Sequence, residues 1–285
     1  MVKIRLARHI GFCSGVRRAI AIAEKTLAEK KGKVYSLGSI IHNPEVIRSL
    51  EKKGLITVRS LDTVEPGSTL ILPSHGSPRS AREAGKKKRL SLVDVTCPYV
   101  ASVQKICRTL YEKGEQVVIV GDSDHPEIRA LKDLAPSAMV IESAAQVGDD
   151  AFAGRNAGFI SQTTQSREKF FTVVSRVLEK NRNGREFHIY NTICLDTSKR
   201  QEEVKRLAAD VDALLVIGSR TSANTKRLLH LGRKVNKLAF LVENEDHVKP
   251  AMIKGARTIG IISGASAPNW LVTAVLKRIK EMKSP

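Results

Sequence analysis

Residues 116–128 read "QVVIVGDSDHPEI". A run of β-branched residues ends at a glycine, passes through a short polar turn, and meets a proline and a glutamate that open a helical pattern. An apolar run without polar alternation belongs to a strand covered on both faces, as in a parallel sheet flanked by helices. The same syntax recurs along the chain. "KVYSLG" (33–38), "TLILPS" (69–74), "SLVDVT" (91–96), "AGFISQ" (157–162), "LLVIGS" (214–219) and "RTIGIIS" (257–263) predict further strands. Amphipathic stretches at 98–113, 166–181, 199–209 and 268–282 predict helices that follow or separate them. The fold class is α/β.

Six of these strands run into a loop of small or polar residues before a helix: "GSIIHNPE", "PSHGSPRS", "GDSDHPEI", "SQTTQSRE", "GSRTSANT" and "SGASAPNW". In open parallel sheets, ligands bind at the carboxyl ends of the strands. Cys13, Cys97 and Cys194 divide the loops two by two. This spacing predicts three similar α/β domains, 13–96, 97–193 and 194–285, the last joined by an N-terminal strand within 1–12.

The chain has 285 residues, 42% of them hydrophobic, enough for a large core. No apolar run approaches the ~20 residues of a membrane span. The start, "MVKIRLARHIGFC", lacks the apolar core of a signal peptide. A cytoplasmic location is expected, where thiols stay reduced. The net charge of +19, from 48 Lys and Arg against 29 Asp and Glu, attracts anions. With 4% aromatic residues and no aromatic-basic ladder, the chain does not read as a base-stacking nucleic-acid protein. The runs "GKKKRL" (85–90) and "RNGR" (182–185) read as solvated loops or helix ends.

In "IGFCSGVRRAIAIAEK" (10–25), Cys13 stands at the mouth of a helix. Ser14 is its expected cap, and Val16, Ala19, Ile20, Ala23 and Leu27 its buried stripe. No second cysteine lies at redox or zinc-knuckle spacing. Structural zinc draws local ligand pairs, whereas an iron–sulfur cluster accepts thiolates from distant segments. A cubane held by three cysteines keeps one iron open to a substrate oxygen. Cys107 shares a helical face with Val103, Ile106 and Leu110 and reads as a core thiol. His42, His75 and His125 sit in strand-end loops, each with a proline close behind. Imidazoles there suit phosphate binding. Ser222, Asn224 and Ser266 read either as further donors or as helix caps. Glu127 is a candidate proton donor or an ordinary first-turn acid. Thr163 and Thr164 hold a substrate hydroxyl or end a strand.

The motifs "GFCSGVRRAI", "GSIIHNPEVI", "SHGSP", "VDVTCPYV", "DHPE", "SQTTQS", "NTIC" with "RQ", "TSANTKRL" and "SGASAPNW" follow one another in this order. Together, from Cys13 to Trp270, the chain resembles the LytB-type (IspH) family of 4-hydroxy-3-methylbut-2-enyl diphosphate reductases. The resemblance implies a pseudo-threefold trefoil of α/β domains around a 4Fe-4S cluster, with Cys13, Cys97 and Cys194 as ligands and one iron open. It implies substrate binding by His42, His75, His125, Thr163, Thr164, Ser222, Ala223, Asn224 and Ser266, and catalysis by Glu127, His125 and Thr163. The implied reaction is reductive removal of the allylic hydroxyl, giving isopentenyl and dimethylallyl diphosphate in the last step of the methylerythritol phosphate route. An acidic ferredoxin or flavodoxin would supply electrons, and neither membrane nor nucleic acid is an implied partner.

Several positions depart from the family pattern. Ser14 replaces a common aromatic, and Arg129 and Ala130 follow "HPE" in place of a glycine-rich continuation. Ala223 leaves a backbone N–H where a hydroxyl is possible, and Ile262 stands where threonine is usual. Asp196 and Lys199 follow Cys194 where small or neutral residues are expected, and Asp196, if close to a cluster, would modulate its potential. Two other readings make different predictions. A basic nucleic-acid-binding protein with a structural metal would show salt-dependent binding without turnover. An iron–sulfur dehydratase would form product without a reductant.

Overall fold

Six of the seven apolar runs become inner strands of parallel sheets. In a computed structural model that describes residues 2–283, the chain opens with β1 (Lys3–Leu6) and α1 (Ser14–Glu29). The next segment contains β2 (Val34–Leu37), α2 (Pro44–Glu51), β3 (Leu55–Val58), β4 (Thr69–Leu72), α3 (Arg79–Lys87) and β5 (Ser91–Asp94). It is followed by α4 (Pro98–Glu112), β6 (Gln116–Val120), α5 (Pro126–Leu134), β7 (Met139–Ile141), β8 (Ala157–Ser161), α6 (Arg167–Lys180) and β9 (Phe187–Ile189). The last segment holds α7 (Leu195–Ala209), β10 (Ala213–Ile217), α8 (Ala223–Val235), β11 (Ala239–Val242), α9 (Pro250–Ile253), β12 (Thr258–Ser263) and α10 (Asn269–Lys283).

Among the described residues the strands form three four-stranded parallel sheets with one topology. Their orders are β3-β2-β4-β5, β7-β6-β8-β9 and β11-β10-β12-β1. In each, the first strand lies between the second and the third, and a fourth closes the far edge. The fourth place in the last sheet is taken by β1 from the opposite end of the chain, with Lys3 opposite Thr258 and Leu6 opposite Ile261. The first and third strands flank the point where the strand order reverses, and ligands gather at that point in open α/β sheets. The six polar loops all leave those two strands: β2 and β4, β6 and β8, β10 and β12.

Helices on both faces explain the continuous apolar runs. Leu215 and Ile217 of β10 pack with Leu271, Val275 and Ile279 of α10, while Leu214 and Val216 face Val204 of α7 and Leu228 of α8. Val118 and Val120 of β6 likewise meet Phe170 and Val173 of α6, and Val117 and Ile119 meet Cys107, Leu110 and Leu131. Cys107 is a core thiol as expected, and burial pushes it up to about 12. The expectation for Ser14 is corrected. It is the first residue of α1 and exposed, and the Cys13 sulfur instead accepts the Val16 N–H at 3.4 Å.

The chain divides into two compact units. One comprises Met1–Arg17, Ile41–Arg48 and Leu195–Pro285, and the other Arg18–Ile40 and Ser49–Cys194.

Candidate active site

The site residues are described unit by unit. In the unit containing Ser49–Cys194, His125 caps α5, its Nδ1 accepting the Glu127 N–H at 3.2 Å. A neutral imidazole that accepts at Nδ1 carries its proton on Nε2. Pro126 fills the first helical position, where its missing N–H costs nothing. Glu127 is thereby turned inward, 2% exposed. Its two carboxyl oxygens accept the N–H and the Oγ1–H of Thr163, each at 2.8 Å. Burial pushes the carboxyl up to about 7, against the downward pull of both Thr163 bonds. A carboxyl poised there holds or gives a proton near neutral pH.

Thr163 also accepts at its carbonyl, from the Cys194 N–H at 3.0 Å. Glu127, Thr163 and Cys194 are therefore joined by consecutive hydrogen bonds. Gln162 locks the two loops together: its Oε1 accepts the Asp122 N–H at 2.9 Å and its Nε2 donates to Thr164 Oγ1 at 2.8 Å. Sequence reasoning quoted Gln162 inside "SQTTQS" without assigning it a role. Thr164 is thus engaged within its own loop. His75 follows Ser74, whose carbonyl accepts the Cys97 N–H at 2.9 Å.

In the other unit, the Cys13 N–H donates to Ala265 O at 3.1 Å. The neighbouring Ser266 donates its hydroxyl to His42 O at 3.2 Å, and Asn43 Nδ2 donates to Ser266 O at 2.8 Å. These bonds join the His42 loop to the Ser266 loop. Asn43, which sequence reasoning missed, also caps the start of α2 through Oδ1 and Glu45 N–H at 3.0 Å. The residue pair Asn-Pro was its signal. Ser222 caps α8, accepting the Thr225 N–H. Ala223 then contributes one of the helix's unpaired first N–H groups. Asn224 is 3% exposed, and neither its amide oxygen nor its amide nitrogen has a hydrogen-bond partner among the described residues. A buried amide left so is costly.

Gly264 admits this arrangement. A Cβ there would lie 2.1 Å from Oγ1 of the fully buried Thr225. Gly264→Ala is expected to lower stability by about 1–3 kcal/mol through overpacking, read as a drop in the urea midpoint.

The three candidate ligand cysteines are equivalent in their modules. Each is half-buried and immediately precedes a helix: Cys13 before α1, Cys97 before α4, Cys194 before α7. Each N–H donates to the carbonyl two residues beyond the end of the third strand of a sheet, namely Ala265, Ser74 and Thr163. Each thus stands at a helix amino terminus, beside N–H groups that have no partner within the helix. Among the described residues no three His, Cys, Asp or Glu side chains converge on a single metal ion. The donor set is all sulfur, the set that holds iron–sulfur clusters.

Three like parallel sheets, whose switch-point loops carry imidazoles and one near-neutral acid and whose edge strands each lead to a thiol, define an α/β enzyme scaffold. Residues 4–280 match the model of the LytB protein family, and the chain belongs to that family. A 4-hydroxy-3-methylbut-2-enyl diphosphate reductase of Aquifex aeolicus is 38% identical over 99% of this chain and 97% of its own. The enzyme of that name from Geobacter metallireducens is 40% identical over 99% of both. A solved structure of (E)-4-hydroxy-3-methyl-but-2-enyl diphosphate reductase, the terminal enzyme of the non-mevalonate pathway, is 38% identical with a TM-score of 0.72, covering 99% of this chain and 100% of that one. The structure of the Plasmodium falciparum reductase is 28% identical with a TM-score of 0.90, covering 100% of this chain and 89% of that one.

Proposed function

We propose that the protein reduces 4-hydroxy-3-methylbut-2-enyl diphosphate to isopentenyl and dimethylallyl diphosphate. The C–O bond of the allylic hydroxyl breaks, two electrons and two protons enter, and water leaves. Membership of the LytB family and near-full-length relatives of this activity support an oxidoreductase of the non-mevalonate route to isoprenoids. In our reading Cys13, Cys97 and Cys194 hold a 4Fe-4S cluster with one iron open. The domains 13–96, 97–193 and 194–285 with the N-terminal strand surround it as a trefoil. When bound, the cluster supplies electrons and a Lewis-acidic iron for the hydroxyl oxygen.

The chain's own groups do the rest. His42, His75, Ser222, Asn224 and Ser266, with the Ala223 N–H, take the diphosphate. The amide of Asn224, buried without a partner, gains hydrogen bonds on binding. His125 and Thr163 orient the hydroxyl end, with Thr164 beside them. Glu127 holds the proton, and Thr163 passes it onward from Oγ1. The observation that carries this reading is the run of hydrogen bonds Cys194–Thr163–Glu127, which links a cluster ligand to a buried acid near neutrality.

The net charge of +19 suits an acidic electron donor of the ferredoxin or flavodoxin type, by steering. Among the described residues no helix is long and apolar enough to cross a membrane. A site that works through thiolates belongs in a reducing compartment, the cytoplasm.

The test is turnover by anaerobically reconstituted protein with a reduced dye. Product is expected only with reductant, with two electrons consumed per molecule. Product without reductant would establish the dehydratase instead. A fully loaded cluster with no turnover, together with steeply salt-dependent nucleic-acid binding, would establish the binding protein.

A further inference from the structure

Helix α7 begins immediately after Cys194 and carries Asp196, Arg200 and Glu203. Charged residues on a helix ordinarily face water, but Arg200 is 2% exposed. Every nitrogen of its guanidinium donates a hydrogen bond. Nη1 donates to His9 O and Ser263 O and Nη2 to Gly11 O, each at 2.9 Å, and Nε donates to Asp196 Oδ2 at 2.7 Å. Glu203 accepts the N–H groups of Arg8 and His9 and lies 2.8 Å from His9 Nδ1. The Gly11 N–H donates to Ser263 Oγ at 2.8 Å.

Residues 8–11 have left the sheet. The ladder ends where the Ala7 N–H meets Ile261 O. Beyond it the backbone groups need other partners, and the side chains of α7 and Ser263 provide them. Cys13 follows two residues later. The Asp196 carboxylate accepts from Arg200.

We infer that Arg200, anchored by Asp196, is a positioning residue that holds the Cys13 loop in the geometry needed to ligate the cluster. The inference rests on the cluster reading above. A planar guanidinium fixes three carbonyls at set angles, whereas a lysine offers one flexible point charge.

The test reconstitutes three full-length proteins anaerobically: the unaltered chain, Arg200→Lys and Ile279→Ala. Ile279 is a fully buried core residue of α10 whose side chain takes no part in the hydrogen bonds that hold residues 8–11. Iron release to a chelator, the EPR spectrum of the reduced cluster and the thermal midpoint are measured. Arg200→Lys is expected to lose iron about 10- to 100-fold faster, with shifted g-values. Ile279→Ala is expected to lower the midpoint while keeping the unaltered release rate and g-values. Unchanged release and g-values in Arg200→Lys, or equal iron loss from Ile279→Ala, overturn the inference. An unaltered chain that takes up no cluster overturns the cluster reading itself. If Arg200→Lys does not fold, Asp196→Asn, which leaves the guanidinium without its anchor, is judged by the same measurements in the same way.

Discussion

Glu127→Gln is expected to keep its cluster and its fold while losing about 10²- to 10⁴-fold in turnover, the contribution of a positioned general acid. The substitution is nearly isosteric. The amide oxygen still accepts the Thr163 N–H that Glu127 accepts at 2.8 Å, and the amide nitrogen can donate to Thr163 Oγ1. Position is preserved and the transferable proton is removed. The same carboxyl has a signature in stability. Its folded pKa of about 7 lies above the ordinary 4.5, so between these values the folded state binds more protons than the unfolded one. Stability from this group is therefore fully present below pH 4.5 and declines as pH rises toward 7. The total loss is roughly 3 kcal/mol at 1.36 kcal/mol per pH unit of displacement. Urea midpoints of the native protein should fall over that window relative to Glu127→Gln, and native turnover should weaken above pH 7 as the carboxyl ionises. Normal turnover in the variant would remove Glu127 from the proton path.

Replacing Cys13, Cys97 or Cys194 by serine is expected to strip most of the iron and to cut turnover by at least about 100-fold. That is the upper end of what residues that merely orient ligands cost, and a ligand costs no less. The three substitutions should behave alike, because each thiol precedes a helix and is tied through its own N–H to a strand-end loop. Cys107→Ala is the contrast. Cys107 is fully buried among Val103, Leu110 and Leu131, and its thiol donates to the Leu131 carbonyl at 3.6 Å. This variant should hold a full complement of iron and lose on the order of 1 kcal/mol in stability from the small cavity. Metal and sulfide analysis with a denaturant series checks both. A cluster that survives any of the three serine substitutions, or one lost with Cys107, would defeat the proposed ligand set.

The inner strands were legible because helices cover both of their faces, so most of their positions are apolar. β8 and β10 are buried from end to end. The strands β3, β7, β9 and β11 were missed. They are three or four residues long and lie at sheet edges with partly exposed faces, so the apolar runs of β3, β7 and β11 are too short to stand out and that of β9 is broken by His188. The six loops were legible from composition, since small and polar residues between a strand and a helix have few other uses.

What the sequence by itself determined is local: which segments are inner strands, where helices start, and which thiols, imidazoles and acid stand at strand ends. Only the tertiary structure decided which groups meet. Glu127 gained its near-neutral carboxyl by burial against Thr163, a residue 36 positions away. Arg200 became a buried clamp through carbonyls 191 and 189 positions back, at His9 and Gly11. Local periodicity assigns a charged side chain to water. Its real fate depends on whether distant backbone, stranded beyond the end of a sheet, needs a partner.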